Sequence, residues 1–368
     1  MDWALLAEWS IKSLILIFGL LGGFAYLTLF ERKALARFQV RIGPNRAGPF
    51  GILQPVADGI KLIFKEELIP AQADKLMFIL APIVTVVPAL IIMAVVPFGP
   101  DIELFGRRIP MHITDLNVGV LYIMSVASIS VYGIVLAGWS SNNKYATLGG
   151  IRSTAQMISY ELALGLGFIG PILLSGSLSL VDIVEAQRPM WYVVLQPVGA
   201  FVFWIATLAE VNRAPFDMPE AEQELTAGYH TEYSGMKFAL FFMAEYIKMI
   251  AVSAIGVTLF FGGYRGPFVD QLPLLGPLYF LLKVVVFLFV MVWVRATLPR
   301  IRYDRLMAFG WKLLFPLALV NVLFTAVGLT LMDALGNPLW IWFIPVSSLL
   351  FFLLVVYMAR GAIAGGNK

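Results

Sequence analysis

Long apolar runs dominate this chain and leave few folds open to it. The hydrocarbon core of a bilayer is about 30 Å thick and takes about 20 residues of helix to cross. Runs of that kind fall near 12–30, 76–98, 118–138, 155–179, 190–211, 238–262, 276–298, 313–332 and 339–358. In lipid a backbone must satisfy its own polar groups, so such runs are helices. Pro345 interrupts the last of them. The expected fold is therefore all-α: a polytopic membrane protein with eight to nine transmembrane helices. Composition agrees, since 60% of the 368 residues are hydrophobic and only 13% charged, against about 25% charged in soluble domains. No soluble domain fits between the runs, so residues 1–368 read as a single transmembrane domain.

Several kinds of chemistry are excluded early. The chain has no cysteine, which removes disulfides, thiolate catalysis and iron–sulfur ligation. His112 and His230 are far apart in sequence, which argues against a histidine metal centre. A dispersed net charge of +3 gives no footprint for nucleic acid. Near the N-terminus Lys12 follows Trp3, Leu5, Leu6 and Trp9, and the apolar run after it is long enough to span. That pattern is a first span and not a cleavable secretory signal.

Lysine and arginine set the orientation. The segments 31–75, 139–154, 212–237 and 295–312, with the tail after 358, hold nineteen basic residues, and the opposite set of segments holds five. The first set is expected in the cytoplasm, which puts the N-terminus outside. Nine spans would put the C-terminus inside.

Within 31–75, polar residues recur at Gln54, Asp58, Lys61 and Lys65, while Val56, Ile60, Ile63 and Phe64 fill the other side. Steps of four, three and four mark one face of a helix. Residues 52–65 are therefore expected to form an amphipathic helix with Pro55 in its first turn. Such a helix either lies in the cytoplasmic membrane interface or docks on protein.

The spans also carry charges, which cost about 2.5–3.5 kcal/mol each at mid-bilayer. Glu161 falls in the fourth run, Glu210 at the end of the fifth, Glu245 and Lys248 in the sixth and Lys283 in the seventh. At 1.5 Å of rise per residue, Glu161 and Glu245 lie roughly 10 Å below the cytoplasmic edge and Lys248 about 15 Å. Glu245 and Lys248 are three apart, so they share a helix face and can pair. Above them the segment NRAPFDMPEAEQELTAGYHTEYSGMK carries Asp217, Glu220, Glu222, Glu224 and Glu232. Asp217 and Glu220 have the spacing of a helix cap, and capping alone would account for those two. The whole set reads better as a series of carboxylates descending from the surface into the membrane. Carboxylates placed close together raise one another's pKa and can exchange protons near neutral pH.

Two basic clusters face the same side. Arg32, Lys33, Arg37, Arg41 and Arg46 follow the first run with Glu31, and Arg295, Arg300, Arg302, Arg305 and Lys312 follow the seventh. Positive-inside topology and headgroup contact explain most of these. The glycine- and proline-rich RIGPNRAGPFG between them indicates a shaped turn.

Two stretches now carry a family resemblance. ERKALARFQVRIGPNRAGPFGILQPVADGIKLIFKE (31–66) and RAPFDMPEAEQELTAGYHTEYSGMKFALFFMAEY (213–246) resemble the defining segments of the H subunit of NADH–quinone oxidoreductase, respiratory complex I. That subunit is the bacterial counterpart of mitochondrial NADH dehydrogenase subunit 1. SSNNKYATLGGIRSTAQMISYE (140–161) and RATLPRIRYDRLMAFGWK (295–312) are similar too. The resemblance covers nearly the whole chain.

The resemblance implies the membrane half of a quinone-binding chamber, where the hydrophilic arm meets the membrane arm of complex I. Quinone would enter between the interfacial helix and the first, sixth and seventh spans. FMN and the iron–sulfur clusters would sit in partner subunits, so no catalytic residue is expected in this chain. Arg32, Arg37, Arg41, Lys61, Lys65 and Arg295 are the candidate quinone-binding guides. The family links the acidic segment and buried glutamates to proton pumping. The matching positions are Glu161, Glu210, Asp217, Glu220, Glu222, Glu224 and Glu245, and Lys248 joins them by its place beside Glu245. Some relatives carry a further acid in the third span, where SVASISVYG places Ser128, so that link is absent or taken by water. The resemblance also implies a bacterial inner membrane and, as partners, the other complex I subunits, quinone and the lipid bilayer. Two alternatives stay open: the equivalent subunit of a membrane-bound hydrogenase or ferredoxin–quinone complex, and a stand-alone ion transporter.

Overall fold

The computed structural model describes residues 3–104, 107–218 and 226–365. The described residues are helical almost throughout, with one short hairpin among them pairing β1 (Ile102–Leu104) and β2 (Arg107–Ile109). Among the described residues, eight helices are long and apolar enough to cross a membrane, and a ninth apolar helix, Pro197–Glu210, is shorter. The principal helices are α1 (Trp3–Phe38), α2 (Gln54–Phe64), α3 (Lys75–Ile91), α4 (Gly119–Ser140), α5 (Lys144–Ser175), α6 (Leu180–Ala186), α7 (Tyr192–Leu195), α8 (Pro197–Glu210), α9 (Gly235–Phe260) and α10 (Leu275–Thr297). After these, α11 (Tyr303–Phe309) and α12 (Phe315–Leu335) run as one rod through a π turn at Gly310–Leu314, and α13 (Phe343–Gly365) closes the chain.

Helix ends differ from the apolar runs for identifiable reasons. Hydropathy marks the greasy part of a helix, whereas caps and breakers set its ends. Asn143 accepts from the Tyr145 amide at 2.9 Å and starts α5 at Lys144. Most of the expected loop 139–154 is therefore helix. Gly176, at φ +70°, stops α5 in the left-handed conformation that glycine tolerates. Asp74 caps α3 through the Leu76 and Met77 amides. The run at 190–211 splits at Gln196, where φ is −132° and ψ 60°. Pro197 follows, and a proline disfavours helical geometry in the residue before it. Pro345 falls in the first turn of α13, where its missing N–H costs little. It does not break that span.

The amphipathic helix forms as α2, within one or two residues of the expected ends, with Pro55 in its first turn and no buried residue. Arg32 of α1 holds it through Asp58 at 2.6 Å, and Gln54 donates to the same carboxylate at 3.1 Å.

Helices in lipid gain little from hydrophobic association and pack closely through small residues. A side chain at Gly149 of α5 would put its Cβ 2.4 Å from the Gly228 Cα, and one at Gly133 of α4 would lie 2.9 Å from the Thr85 amide nitrogen of α3. Gly149→Ala therefore forces two backbones apart and is expected to cost about 1–3 kcal/mol. A lower melting temperature of the detergent-purified assembly checks this. Gly22→Ala, whose methyl would meet nothing within 4 Å, is expected to leave it unchanged.

Candidate functional site

The loop that leaves α8 turns back into the bundle, held by buried Gln156 of α5. The Gln156 side-chain amide donates to the Ala209 carbonyl at 2.9 Å and the Phe216 carbonyl at 2.7 Å. The Ile301 amide donates to the Pro215 carbonyl at 3.0 Å. These bonds set Arg213 deep in the protein, 2% exposed.

Arg213 is the centre of a chain of alternating charges. Its Nε lies 2.7 Å from Glu245 Oε1 of α9 and its Nη1 lies 3.3 Å from Glu31 Oε1 of α1. Arg295 of α10 contacts the same oxygen of Glu31. The ring of Tyr246 lies 4.3 Å from the Arg213 guanidinium carbon. Burial works against the charged guanidinium, but Glu245, Glu31 and Tyr246 outweigh it and hold its pKa above the usual arginine range. Four segments distant in sequence thus converge on one ion cluster.

A second group lies further along the bundle. Glu210 and Lys248 are buried and, with Glu161, feel one another's charge. Glu210 and Lys248 line a cavity of about 30 Å³ together with Thr207, Met124, Ala127 and Leu164. A water molecule needs roughly 10–15 Å³ of such space. Glu161 of α5 hydrogen-bonds Ser128 of α4, whose hydroxyl also lies 3.0 Å from the Met124 carbonyl. Ser128 is therefore in direct contact with Glu161.

A lateral groove of about 690 Å³ runs beside these charges between α1, α9 and α10. Its walls are apolar, among them Gly19, Gly23, Phe30, Ile250 and Leu288, with Lys12 and His112 at one end. Lys12 is engaged there by Glu8 and the Pro110 carbonyl at 2.8 Å. Phe30, at the other end, directly precedes Glu31.

The structure brings together Glu161, Glu210, Glu245, Lys248 and Arg295 and buries Asp217 near the same loop. Glu220, Glu222 and Glu224 lie outside the described residues. Glu232 accepts from Asn143 at 2.6 Å, which ties the acidic segment to the start of α5. Glu245 takes Arg213 as its close partner, and Lys248 lines the cavity beside Glu210. Of the basic guides, Arg32 is tied to Asp58, and Arg37, Arg41, Lys61 and Lys65 are exposed. Lys283 is a fold clamp: its ammonium donates to the carbonyls of Phe261, Gly263 and Arg265 at 2.7–2.9 Å. Neither the place of Arg213 nor a role for Glu31 is evident in the sequence. Arg213 sits in an irregular loop where no periodicity reports burial, and Glu31 heads a basic cluster that looks solvated.

Buried ion pairs, a broken apolar helix and a lateral apolar groove define an all-α polytopic membrane protein built around internal charge. A family model described as NADH dehydrogenase matches residues 11–326. The chain is 53% identical to the NADH-quinone oxidoreductase H subunit of Thermomicrobium roseum over 88% of its length and 96% of the relative's. It is 53% identical to the H subunit of Protochlamydia amoebophila, covering 82% of this chain and 91% of that one. It is 54% identical to an H subunit of Geobacter sulfurreducens, covering 83% and 90%. The chain belongs to the H-subunit family of NADH-quinone oxidoreductase.

Proposed function

We propose that this chain is the subunit of a proton-pumping NADH–quinone oxidoreductase that forms the membrane side of the quinone chamber and couples quinone reduction to proton movement. One observation carries the reading: the lateral groove and the buried charges share α1 and α9. Phe30 lines the groove beside Glu31, and Ile250 and Ala254, on the same helix as Glu245 and Lys248, line it as well. A long isoprenoid quinone needs apolar walls with few polar guides. Arg32, Arg37, Arg41, Lys61, Lys65 and Arg295 supply such guides near the end of α1. Glu220, Glu222 and Glu224 join Asp217 in feeding protons to a path through Glu245, Lys248, Glu210 and Glu161, with the small cavity holding a bridging water. Iron–sulfur clusters and FMN belong to partner subunits, together with the direct ligands of the headgroup. The chain resides in a bacterial inner membrane with its N-terminus in the periplasm and its C-terminus in the cytoplasm.

The names of the relatives favour NADH as the electron source over hydrogen or ferredoxin. A flavin-containing NADH-oxidising partner copurifying with the chain checks that choice. The chamber itself is tested with a photoreactive quinone analogue on the assembled complex. Labelling is expected within residues 31–66 and along the groove walls of α1. Labelling confined to 99–117 and 263–275 would overturn the proposal.

A further inference from the structure

We propose that Ser128 is a positioning residue that lets Glu161 take up and release a proton without leaving a polar atom unpaired. The inference rests on the reading that Glu161 belongs to a proton path. Ser128 Oγ lies between two acceptors. The Met124 carbonyl, one turn back on the same helix, is 3.0 Å away, and Glu161 Oε1 is in hydrogen-bond contact. A hydroxyl has one proton to give and two lone pairs to offer. It cannot donate to both partners at once.

The two protonation states of Glu161 resolve that competition differently. When Glu161 is ionised, Ser128 turns its proton to the carboxylate. When Glu161 is protonated, the carboxyl O–H donates to Ser128 Oγ, and the serine proton turns to the Met124 carbonyl. Ser128 neither gains nor loses a proton in the exchange, since only its torsion changes. Such i−4 bonding by serine is ordinary in helices. Ser125, one turn earlier in α4, bonds the Leu121 carbonyl at 2.8 Å in the same way. What sets Ser128 apart is a carboxylate as the second acceptor. The charged groups near enough to bias the exchange are Glu210 of α8 and Lys248 of α9, across the small cavity that Met124 and Ala127 also line.

Ser128→Ala removes the switch and leaves Glu161 without its local partner in either state. A hydrogen bond to an ionised group is the stronger of the two, so the exchange becomes unbalanced. The test uses the assembled complex in membranes. It reads proton-coupled turnover together with the protonated-carboxyl C=O band in redox-induced infrared difference spectra. Glu161→Gln is expected to delete one such band. Ser128→Ala is expected to shift that band to higher frequency and to slow coupled turnover by roughly tenfold. Ser128→Thr, which keeps the hydroxyl, should restore both. Ser128→Cys, with similar volume and a weak donor, should show the same band shift even if alanine at this position prevents assembly. The parent band and rate in Ser128→Ala or Ser128→Cys, alongside an affected Glu161→Gln, would overturn the role of Ser128 and leave Glu161 in the path. An unaffected Glu161→Gln would overturn both.

Discussion

Replacing Arg213 with methionine is expected to remove the protein from the membrane and not merely to slow it. Arg213 is 2% exposed and holds Glu31 and Glu245 within 3.3 and 2.7 Å. Breaking a buried pair by deleting one partner costs about 3–5 kcal/mol, because an uncompensated charge stays behind. Here one deletion takes a close counterion from two carboxylates at once, Glu31 and Glu245, while Arg295 still touches Glu31. A rise in pH does not mimic the variant. The arginine's pKa lies above its ordinary value once the two carboxylates outweigh burial. Its contribution is complete below the unfolded value and is lost only as pH climbs through the folded one, far above the working range. Arg213→Lys keeps the charge as a point and loses the planar fork that reaches two carboxylates, so an intermediate amount of protein is expected. Adding Glu31→Gln and Glu245→Gln to Arg213→Met removes the stranded charges and should recover assembly. Quantifying the chain in membranes, with the melting temperature of the extracted assembly, checks the series. Normal amounts and a normal melting temperature for Arg213→Met alone would defeat the argument.

How much of this was legible in the sequence depended on whether a signal was periodic. The amphipathic helix and its faces are periodic, and the structure reproduces them within two residues; the spans are long apolar runs, and α1 and α5 extend well past theirs while the run at 190–211 is broken. The amphipathic face also foretold Asp58 as a polar position, although not that Arg32 would take it. The break at Gln196 was available locally, because Pro197 announces it, but a hydropathy window averages across it. The buried ion chain is another matter. Glu31, Arg213, Glu245 and Arg295 come from three helices and a loop, with up to 264 residues between partners, and nothing local records that they meet. Spacing alone says that Glu245 and Lys248 share a face and can pair, because only neighbours on one helix can be inferred that way. Tertiary packing supplied a closer partner. In the same way Ser128 looked like a missing acid, and the structure places its hydroxyl against Glu161.

The path proposed for protons is tested most cleanly at Glu161, and Glu245 supplies the contrast. Glu161→Gln keeps shape and still offers an oxygen to Ser128, but it cannot titrate. Its close hydrogen bond is to a hydroxyl, so the substitution leaves no buried charge without its counterion in contact. Glu245→Gln differs, because it takes one anion from Arg213 at 2.7 Å. Its effect is expected to combine weaker assembly with lost proton transfer. Removing a positioned proton donor costs on the order of 10²-fold when that transfer limits the rate. Coupled turnover in Glu161→Gln should therefore fall steeply in membranes that hold normal amounts of complex. If coupling is tight, quinone reduction falls with it, and protons moved per electron stay constant in what remains. If coupling is loose, quinone reduction persists and the ratio drops. A residue that only packs helices predicts neither outcome: Glu161→Gln would then pump at the parent rate and ratio. Measuring protons translocated per electron in both variants, normalised to assembled complex, separates the cases. Parent values in Glu161→Gln would remove it from the path. A loss in Glu245→Gln that tracks only the amount of complex would reduce Glu245 to the counterion of Arg213.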